Sequence, residues 1–323
     1  MRIRIEVTFR TLLTYCVCLS FFLLTNVGHT KNQTTNNLKL CQEYFKDILL
    51  VICYNHPYYE TIEFEKSLYS PVFKNIVFYG DRTEHLDADE FNHHEDGDRG
   101  DVRIVYTRNG YYLQKVVADV LRRHPSYAGY IFMQDDVLMQ FWRFLSLDKN
   151  KIWFGQNSLG KINNDSCFNQ ILTNRIDALN YDWWFNTTAG IPEIKKLLPQ
   201  LSQKEKAMLA TNFGENTLPG HPSDFFYIPK RFSEQTIRLC DLFSRVFVEI
   251  ATPTMLGCMD YMTNWEELLP HYWTFYDNLS DRLFKTYRPD FFWLHSCKFS
   301  IKGNRDFARR IFNEQFYDPL END

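Results

Sequence analysis

Two adjacent aspartates end an apolar run near the middle of the chain. The run from Gly129 to Gln134 is followed directly by Asp135 and Asp136. A short apolar run is typical of a buried strand, and burying a carboxylate without a partner is costly. Because hard divalent cations bind carboxylate and phosphate oxygens, the pair predicts a metal–diphosphate site at the carboxyl edge of a sheet. The alternative is an acidic turn that binds nothing.

The elements that would position these aspartates alternate along the first half of the chain. Apolar runs at 47–54, 75–80 and 102–106 predict three more buried strands, and the spacing within 59–68 and 113–121 predicts helices between strands. Such an order gives βαβ units, so the predicted fold class is α/β with a doubly wound, mostly parallel sheet. Ligands of these sheets bind beyond the carboxyl ends of the strands.

The second half is less regular. Residues 191–209 predict a surface helix interrupted at Pro199, whereas the runs 225–228, 246–250 and 292–295 predict further strands. The acidic, histidine-bearing segment 81–101 predicts a solvated loop. We therefore expect a single domain with two lobes, one of residues 41–151 and one of residues 152–323.

Composition limits the classes of function. A chain of 323 residues with 45% hydrophobic residues can bury a large core. Its net charge is only −4 and it carries no long run of lysine or arginine, which argues against nucleic acid as a partner.

The N-terminus has the pattern of a membrane segment. Arg2, Arg4 and Arg10 precede an apolar run at 11–27, which predicts a signal anchor with residues 1–10 in the cytoplasm. Residues 28–40 are polar and predict a short luminal stem. The alternative is a cleaved signal peptide and a secreted protein. With either one, the body of the protein faces the secretory lumen.

Two further patterns agree with a luminal address. Acceptor sequons for N-glycosylation occur at Asn32, Asn164, Asn186 and Asn278. Beyond the apolar run lie six cysteines, which allow up to three disulfides of undetermined pairing: Cys41, Cys53, Cys167, Cys240, Cys258 and Cys297. Their spacing fits no zinc pattern.

Taken together, these residues resemble the GT-A glycosyltransferases of the Golgi. The run ending in Gln134-Asp135-Asp136 is similar to the Asp-x-Asp motif of that family. The segment 222–229 resembles the acidic strand on the acceptor side, and 294–300 resembles the C-terminal segment whose histidine completes the metal shell. The resemblance covers residues 47–300. It implies a GT-A-like sheet, a nucleotide-sugar-binding half at 41–151, an acceptor-binding half at 152–323, and a single-pass type II Golgi membrane protein.

The resemblance also implies roles for individual residues. Asp136, Asp135 and His295 would bind Mn²⁺ or Mg²⁺, and the alternative for His295 is a core histidine that binds no metal. Contacts to the nucleotide sugar are expected from Tyr54, Asn55, Tyr79, Gly80, Asn109, Gly110, Asp135 and Lys298, with Asn109 and Gly110 opening a helix that approaches the diphosphate. Trp183 and Trp184 are candidates for stacking on acceptor sugars, and the alternative for these aromatics is a place in the core.

An inverting transfer also needs a general base. Glu249 lies in an apolar, strand-like run and Asp224 precedes another apolar run. Desolvation raises the pKa of a carboxyl group, which suits a base near neutral pH. We assign the base to Glu249 and acceptor binding to Asp224, and a buried structural acid is the alternative for each. A retaining transfer would need no such base.

The predicted function is metal-assisted transfer of a sugar from a nucleotide-sugar donor to a glycan or glycoprotein acceptor. A non-catalytic glycan-binding relative of the same fold is the first alternative, because Gln134-Asp135-Asp136 offers fewer carboxylates than Asp-x-Asp. A metal-dependent hydrolase is the second alternative. Donor, acceptor, stereochemistry and oligomeric state stay open.

Overall fold

The computed structural model describes residues 36–81, 97–155, 189–215, 218–268, 270–272 and 290–317. The described strands are β1 (Ile48–Tyr54), β2 (Ile76–Gly80), β3 (Gly97–Arg99), β4 (Val102–Ile104), β5 (Gly129–Gln134), β6 (Val137–Met139), β7 (Trp153–Phe154), β8 (Phe225–Pro229), β9 (Glu266–Glu267), β10 (Pro270–Tyr272) and β11 (Trp293–His295). The described helices are α1 (36–45), α2 (Ile62–Tyr69), α3 (Gln114–Arg123), α4 (Ile191–Leu197), α5 (Gln203–Phe213), α6 (Ser233–Leu242), α7 (Val248–Met259) and α8 (Lys302–Phe312).

A large sheet runs through the middle of the molecule. Of the described strands, eight form this sheet in the order β3-β4-β2-β1-β5-β8-β7-β9. The strands β4, β2, β1 and β5 are parallel to one another, and β8 joins β5 in antiparallel orientation. Every residue of β1 and of β5 is buried, as expected for parallel strands covered on both faces.

Helices cover both faces of this sheet. One core contains side chains of α1, α2 and α8, and the other contains side chains of α3, α4, α5, α6 and α7. This layering confirms the predicted doubly wound α/β fold. The strands β7, β8 and β9, which follow residue 152, belong to the same sheet as the strands of the first half.

A second, three-stranded sheet lies beside the end of β5. Its order is β10-β11-β6, and β6 follows β5 after a turn of only two residues, Asp135 and Asp136. In the antiparallel pairing of β6 with β11, His295 lies opposite Val137. The C-terminal part of the chain therefore reaches the aspartate turn.

Several predicted elements of the second half are confirmed. The interrupted surface helix appears as α4 and α5, separated by a 3₁₀ turn at Leu198–Gln200 that contains Pro199. The runs at 225–228 and 292–295 form β8 and β11.

Two predictions of local structure are wrong. The run 246–250 belongs to the start of α7, not to a strand, because its apolar residues continue into a helix whose residues from Ile250 to Met259 are all buried. A helix that is apolar on every side has no amphipathic period, so a short window of it cannot be told from a buried strand. The segment 81–101 is also not entirely loop, since Gly97–Arg99 forms the edge strand β3.

The cysteines do not support the predicted disulfides. Five of them have free, buried thiols in the described residues: Cys41, Cys53, Cys240, Cys258 and Cys297. They are distributed over the two cores on opposite faces of the sheet. Burial raises the pKa of Cys41 and of Cys258 to about 12, which keeps both thiols protonated and unreactive. Cys167 lies outside the described residues.

The predicted signal anchor at 11–27 lies outside the described residues, as do the four sequons. Among the described helices, none is both long enough and apolar enough to cross a bilayer.

Candidate functional site

The aspartate turn is held at the carboxyl edge of the sheet by backbone hydrogen bonds from two directions. The N–H of Asp135 donates to the Cys53 carbonyl at 2.9 Å, which ties the turn to the end of β1. The N–H of Cys297 donates to the Asp136 carbonyl at 2.6 Å. Residues that are far apart in sequence therefore meet at this turn.

Asp136 lies between two cationic side chains. His295 Nε2 is 3.2 Å from Asp136 Oδ1, and Lys298 Nζ is 3.5 Å from Asp136 Oδ2. Burial alone would raise the pKa of Asp136, but His295 and Lys298 outweigh burial and lower it to about 2. Asp136 is therefore a carboxylate at physiological pH. Its side chain is 13% exposed, so solvent screens this pair only weakly.

His295 also faces the carboxylate that precedes β8. Its Nε2 is 3.7 Å from Asp224 Oδ1. Burial would lower the pKa of His295, but Asp136 and Asp224 together raise it to about 9. With no metal bound, His295 is therefore an imidazolium between two acids. Binding a metal through this ring would require it to lose its proton.

Asp224 reaches the site through the sheet. The N–H of Gln134, the last residue of β5, donates to the Asp224 carbonyl at 3.0 Å. Burial raises the pKa of the Asp224 carboxyl group, Asp136 adds to the rise, and His295 opposes it. The two strand ends thus bring Asp224 beside the aspartate turn.

Asp136 and His295 are the two side chains of this site that could share a divalent metal. In the described part of the chain, no group of three or more histidine, cysteine, aspartate or glutamate side chains is arranged so that it could hold a metal ion. However, neighbouring ligands of an octahedral ion at about 2.1 Å are about 3.0 Å apart, close to the 3.2 Å between Asp136 Oδ1 and His295 Nε2. Mg²⁺ usually takes one or two carboxylates plus substrate phosphates. The pair fits an ion whose shell a diphosphate and water would complete.

Asp135 has different surroundings. The backbone N–H of Asn55 donates a hydrogen bond to the carboxyl group of Asp135. Burial raises the pKa of Glu65, and the charge of Asp135 also helps to raise it. Burial raises the pKa of Asp135 well above its usual range, and Asp136 adds to the rise. The end of β1 thus contributes a backbone hydrogen bond to Asp135, and Asp136 and Lys298 are close enough for their charges to act on it.

Glu249 lies in the first turn of α7. Burial raises its pKa to about 8, and the charge of Asp224 adds to the rise. Pro253 lies four residues later inside the helix and has no N–H to bond the Glu249 carbonyl. The backbone N–H of His221 donates to that carbonyl instead, at 2.9 Å. The helix start that carries Glu249 is thereby attached to the segment that leads into Asp224.

Three of the predicted nucleotide contacts lie in the core. The Tyr54 ring is buried and its hydroxyl is 3.1 Å from Thr61 Oγ1. The Tyr79 hydroxyl donates to Asp119 Oδ2 at 2.9 Å. Strand alternation turns both side chains into the two helical layers, away from the edge. At Gly80 the absence of a side chain makes room for Tyr59, because a Cβ there would lie 2.2 Å from the Tyr59 hydroxyl oxygen.

Asn55, Asn109 and Gly110 do lie together at the edge. A Cβ on Gly110 would lie 2.1 Å from Asn55 Oδ1, so the two residues are in direct contact. The helix that follows them begins at Gln114, in agreement with the helical spacing predicted within 113–121. The two residues belong to a left-handed turn in which the φ angles of Asn109 and Gly110 are 55° and 82°. Trp183 and Trp184 lie outside the described residues.

Sequence reasoning missed three residues near this edge. Glu65 is fully buried in α2, and its position on the apolar stripe with Ile62 and Tyr69 was the available signal. Asp81 directly follows β2 and is 2% exposed. Arg108 precedes the Asn-Gly pair and has a positive φ of 54° that no sequence pattern predicted.

Comparisons with known proteins agree with the geometry. No model of a known protein family matches the chain. The chain is 23% identical over 245 residues to Probable glycosyltransferase STELLO2 of Arabidopsis thaliana, a match covering 75% of this chain and 28% of the relative. It is 24% identical over 245 residues to Probable glycosyltransferase STELLO1 of the same plant, covering 74% of this chain and 28% of that relative. The chain thus spans just over a quarter of the length of these curated relatives. The predicted resemblance to glycosyltransferases is confirmed, and its subfamily stays open.

Proposed function

We propose that this protein transfers a sugar from a nucleotide-sugar donor to a hydroxyl group of a glycan or glycoprotein. The observation that carries the proposal is the convergence of Asp136, Asp224, His295 and Lys298 at the carboxyl edge of a doubly wound sheet. This edge is where such sheets bind ligands. Similarity to two proteins named as probable glycosyltransferases supports the same activity.

The leaving group of such a transfer is a nucleoside diphosphate, whose negative charge grows as the glycosidic bond breaks. A bound Mn²⁺ or Mg²⁺ would stabilise that charge as a Lewis acid, and Asp136 and His295 would hold it. Lys298 reaches the same carboxylate from the other side and would donate to a phosphate oxygen. The charges of this site thus suit an anionic leaving group.

The acceptor side needs a group that takes a proton if configuration inverts. Glu249 has a pKa of about 8 because it is buried near Asp224, which makes it a stronger base than an ordinary glutamate once it is ionised. Asp224 would hold the acceptor through a hydrogen bond from a sugar hydroxyl. Both assignments apply to an inverting transfer only.

The experiment that tests this function is a thermal-shift screen of the protein with nucleotide sugars and nucleoside diphosphates, with and without Mn²⁺. Ligands that bind the native state raise the melting temperature by mass action. A shift that requires one nucleotide together with the metal, and that is lost in Asp136→Ala, is the expected result. The absence of a metal-dependent shift with any nucleotide would favour a non-catalytic glycan-binding protein.

We also propose that the protein is a single-pass type II membrane protein of the Golgi, with its body in the lumen. The arginines before the apolar run at 11–27 support this orientation. Treatment of the expressed protein with an N-glycan-removing enzyme should increase its gel mobility, and the combined loss of Asn32, Asn164, Asn186 and Asn278 should abolish that shift. An unglycosylated wild-type protein would contradict the luminal orientation.

A further inference from the structure

The turn after β4 has an unusual backbone. Arg108, Asn109 and Gly110 all have positive φ angles, 54°, 55° and 82°. For residues other than glycine this left-handed region costs about 1 kcal/mol or more, and such residues concentrate at binding and catalytic sites. The surrounding structure must therefore hold the turn in place.

Asp81 supplies that support. Its carboxylate accepts hydrogen bonds from Thr107 N at 3.1 Å, from Thr107 Oγ1 at 2.9 Å and from the N–H of Asn109. Thr107 Oγ1 in turn accepts the N–H of Gly110 at 3.0 Å. Because both oxygens of this 2% exposed carboxylate bind the turn, Asp81 is placed to fix its shape and not to contact a ligand.

The turn connects the two sides of the candidate site. On one side Gly110 touches Asn55, whose backbone N–H bonds to Asp135. On the other side the carbonyl of Tyr111 accepts the N–H of Val248 at 2.8 Å, at the residue before Glu249. The turn therefore lies between the aspartate turn that follows β5 and the start of α7.

Arg108 is the charged side chain that this turn displays. Its side chain is exposed, yet its guanidinium lies 5.4 Å from the centroid of the Tyr111 ring, and its Nη1 donates to the Tyr112 hydroxyl at 3.3 Å. Two aromatic contacts restrict the rotamers of a long side chain before any ligand arrives. A planar guanidinium held in this way suits bidentate bonding to phosphate oxygens.

We propose that the turn 107–110 is a preformed contact for the diphosphate of the donor, with Arg108 binding a phosphate group and Asp81 acting as the positioning residue of the turn. This inference rests on the proposed function, since it names the part of the donor that the turn recognises.

Calorimetric titration of the full chain with UDP and GDP, each in the presence of Mn²⁺, tests the proposal, with the parent nucleosides uridine and guanosine as companion probes. Arg108→Ala should weaken binding of the diphosphate by about tenfold or more, the loss typical of a charge-assisted phosphate contact, and should leave nucleoside binding unchanged. The matched control is Arg122→Ala, which removes an exposed arginine paired with Asp241 on the helix surface. This variant should bind the nucleoside diphosphates and the nucleosides as the wild type does.

Asp81→Asn tests the positioning role. An amide has only one acceptor oxygen, so it cannot accept all three donors of the turn. The variant should raise the KM for the donor severalfold while the KM for the acceptor and kcat at saturating donor stay unchanged. Asp81→Glu, which keeps both oxygens, should recover part of the loss.

The possible failures are distinguishable. A wild-type protein that binds no nucleoside diphosphate would overturn the proposed function together with this inference. A wild-type protein that binds one, with Arg108→Ala binding it equally well, would overturn the role of the turn and leave the proposed function standing.

Discussion

At the scale of single residues, the site consists of acidic and basic side chains packed around Asp136. This carboxylate has His295 on one oxygen and Lys298 on the other, while Asp224 and Glu249 lie beyond the histidine. Each nearby charge changes the pKa of its neighbours, so the site holds an ionised Asp136 beside acids whose pKa values are raised. Groups with pKa values driven apart in this way are typical of acid–base sites.

Glu249 should give the transfer its pH dependence. Since burial raises its pKa to about 8, its ionised fraction grows as pH rises through that value, and the rate of an inverting transfer should grow with it. Glu249→Gln should lower kcat by about 10² to 10⁴ and remove this limb of the pH–rate profile. Glu234→Gln, at an exposed position, is the control. A Glu249→Gln enzyme with the wild-type rate and profile would exclude Glu249 as the base.

His221 should make the protein sensitive to acid. Its ring is buried and donates only to the Pro222 carbonyl at 2.7 Å, and burial lowers its pKa from 6.5 to about 4. The unfolded chain binds this proton more readily than the folded one, so stability is complete above about pH 6.5 and falls as pH drops towards 4.

Urea denaturation between pH 4 and 7 measures this effect. His221→Asn, whose amide can keep the bond to Pro222, should lose less free energy of unfolding across that range than the wild type, although its stability at pH 7 is lower. The exposed His56→Asn should behave as the wild type does. An unchanged pH slope in His221→Asn would refute the role given to this ring.

At the scale of elements, the pairing of β5 with β8 places Asp224 at one end, where its carbonyl accepts the Gln134 N–H at 3.0 Å, and packs Tyr227 against Gly129 at the other. Gly129 of β5 lies opposite Pro229 of β8. A Cβ at Gly129 would lie 1.9 Å from the Tyr227 hydroxyl oxygen, which donates to the Lys149 carbonyl at 2.9 Å. The Tyr227 side chain can lie across this position only because glycine has no Cβ.

Gly129→Ala should therefore destabilise the fold. The methyl group would displace the Tyr227 hydroxyl from its bond, at a cost of about 1–3 kcal/mol in the free energy of unfolding. Gly97→Ala is the matched control, because a Cβ there has no atom within 4 Å. Chemical denaturation of both variants compares them directly. Equal stability of the two variants would show that the Tyr227 side chain can move away from position 129 at no cost.

Elements also show where sequence reasoning succeeds and where it fails. The strands β1, β2 and β5 could be predicted because a parallel strand buried on both faces appears as an uninterrupted apolar run. α7 could not, because its buried sides leave no polar face and Pro253 argues against a helix. The orientation of Tyr54 and Tyr79 depends on strand register, which the sequence leaves open.

At the scale of the whole molecule, one sheet unites the two predicted lobes. β8 from the second half pairs with β5 from the first half, and β11 brings His295 to β6. His295 was found through a resemblance, but its distance from Asp136 depends on a strand pairing between segments far apart in the chain. Neither periodicity nor spacing reports such pairings. The approach of Lys298 to the same carboxylate has the same origin.

This arrangement predicts a single folding unit. A chain truncated after residue 151 would lack β8 and expose the apolar edge of β5, so it should aggregate or stay unfolded. Full-length protein should unfold in one transition in which far-ultraviolet circular dichroism and tryptophan fluorescence coincide. A soluble, cooperatively folding fragment ending at 151 would show that the first half is an independent domain.

The geometry around Asp136 predicts transfer of a sugar from a nucleotide donor. The most direct measurement is release of nucleoside diphosphate from candidate nucleotide sugars, with Mn²⁺ and a glycan acceptor present, by the wild type and by Asp136→Asn. We expect release from one donor, dependent on the acceptor and reduced at least about 10²-fold in Asp136→Asn. Equal release by the two proteins would contradict the account.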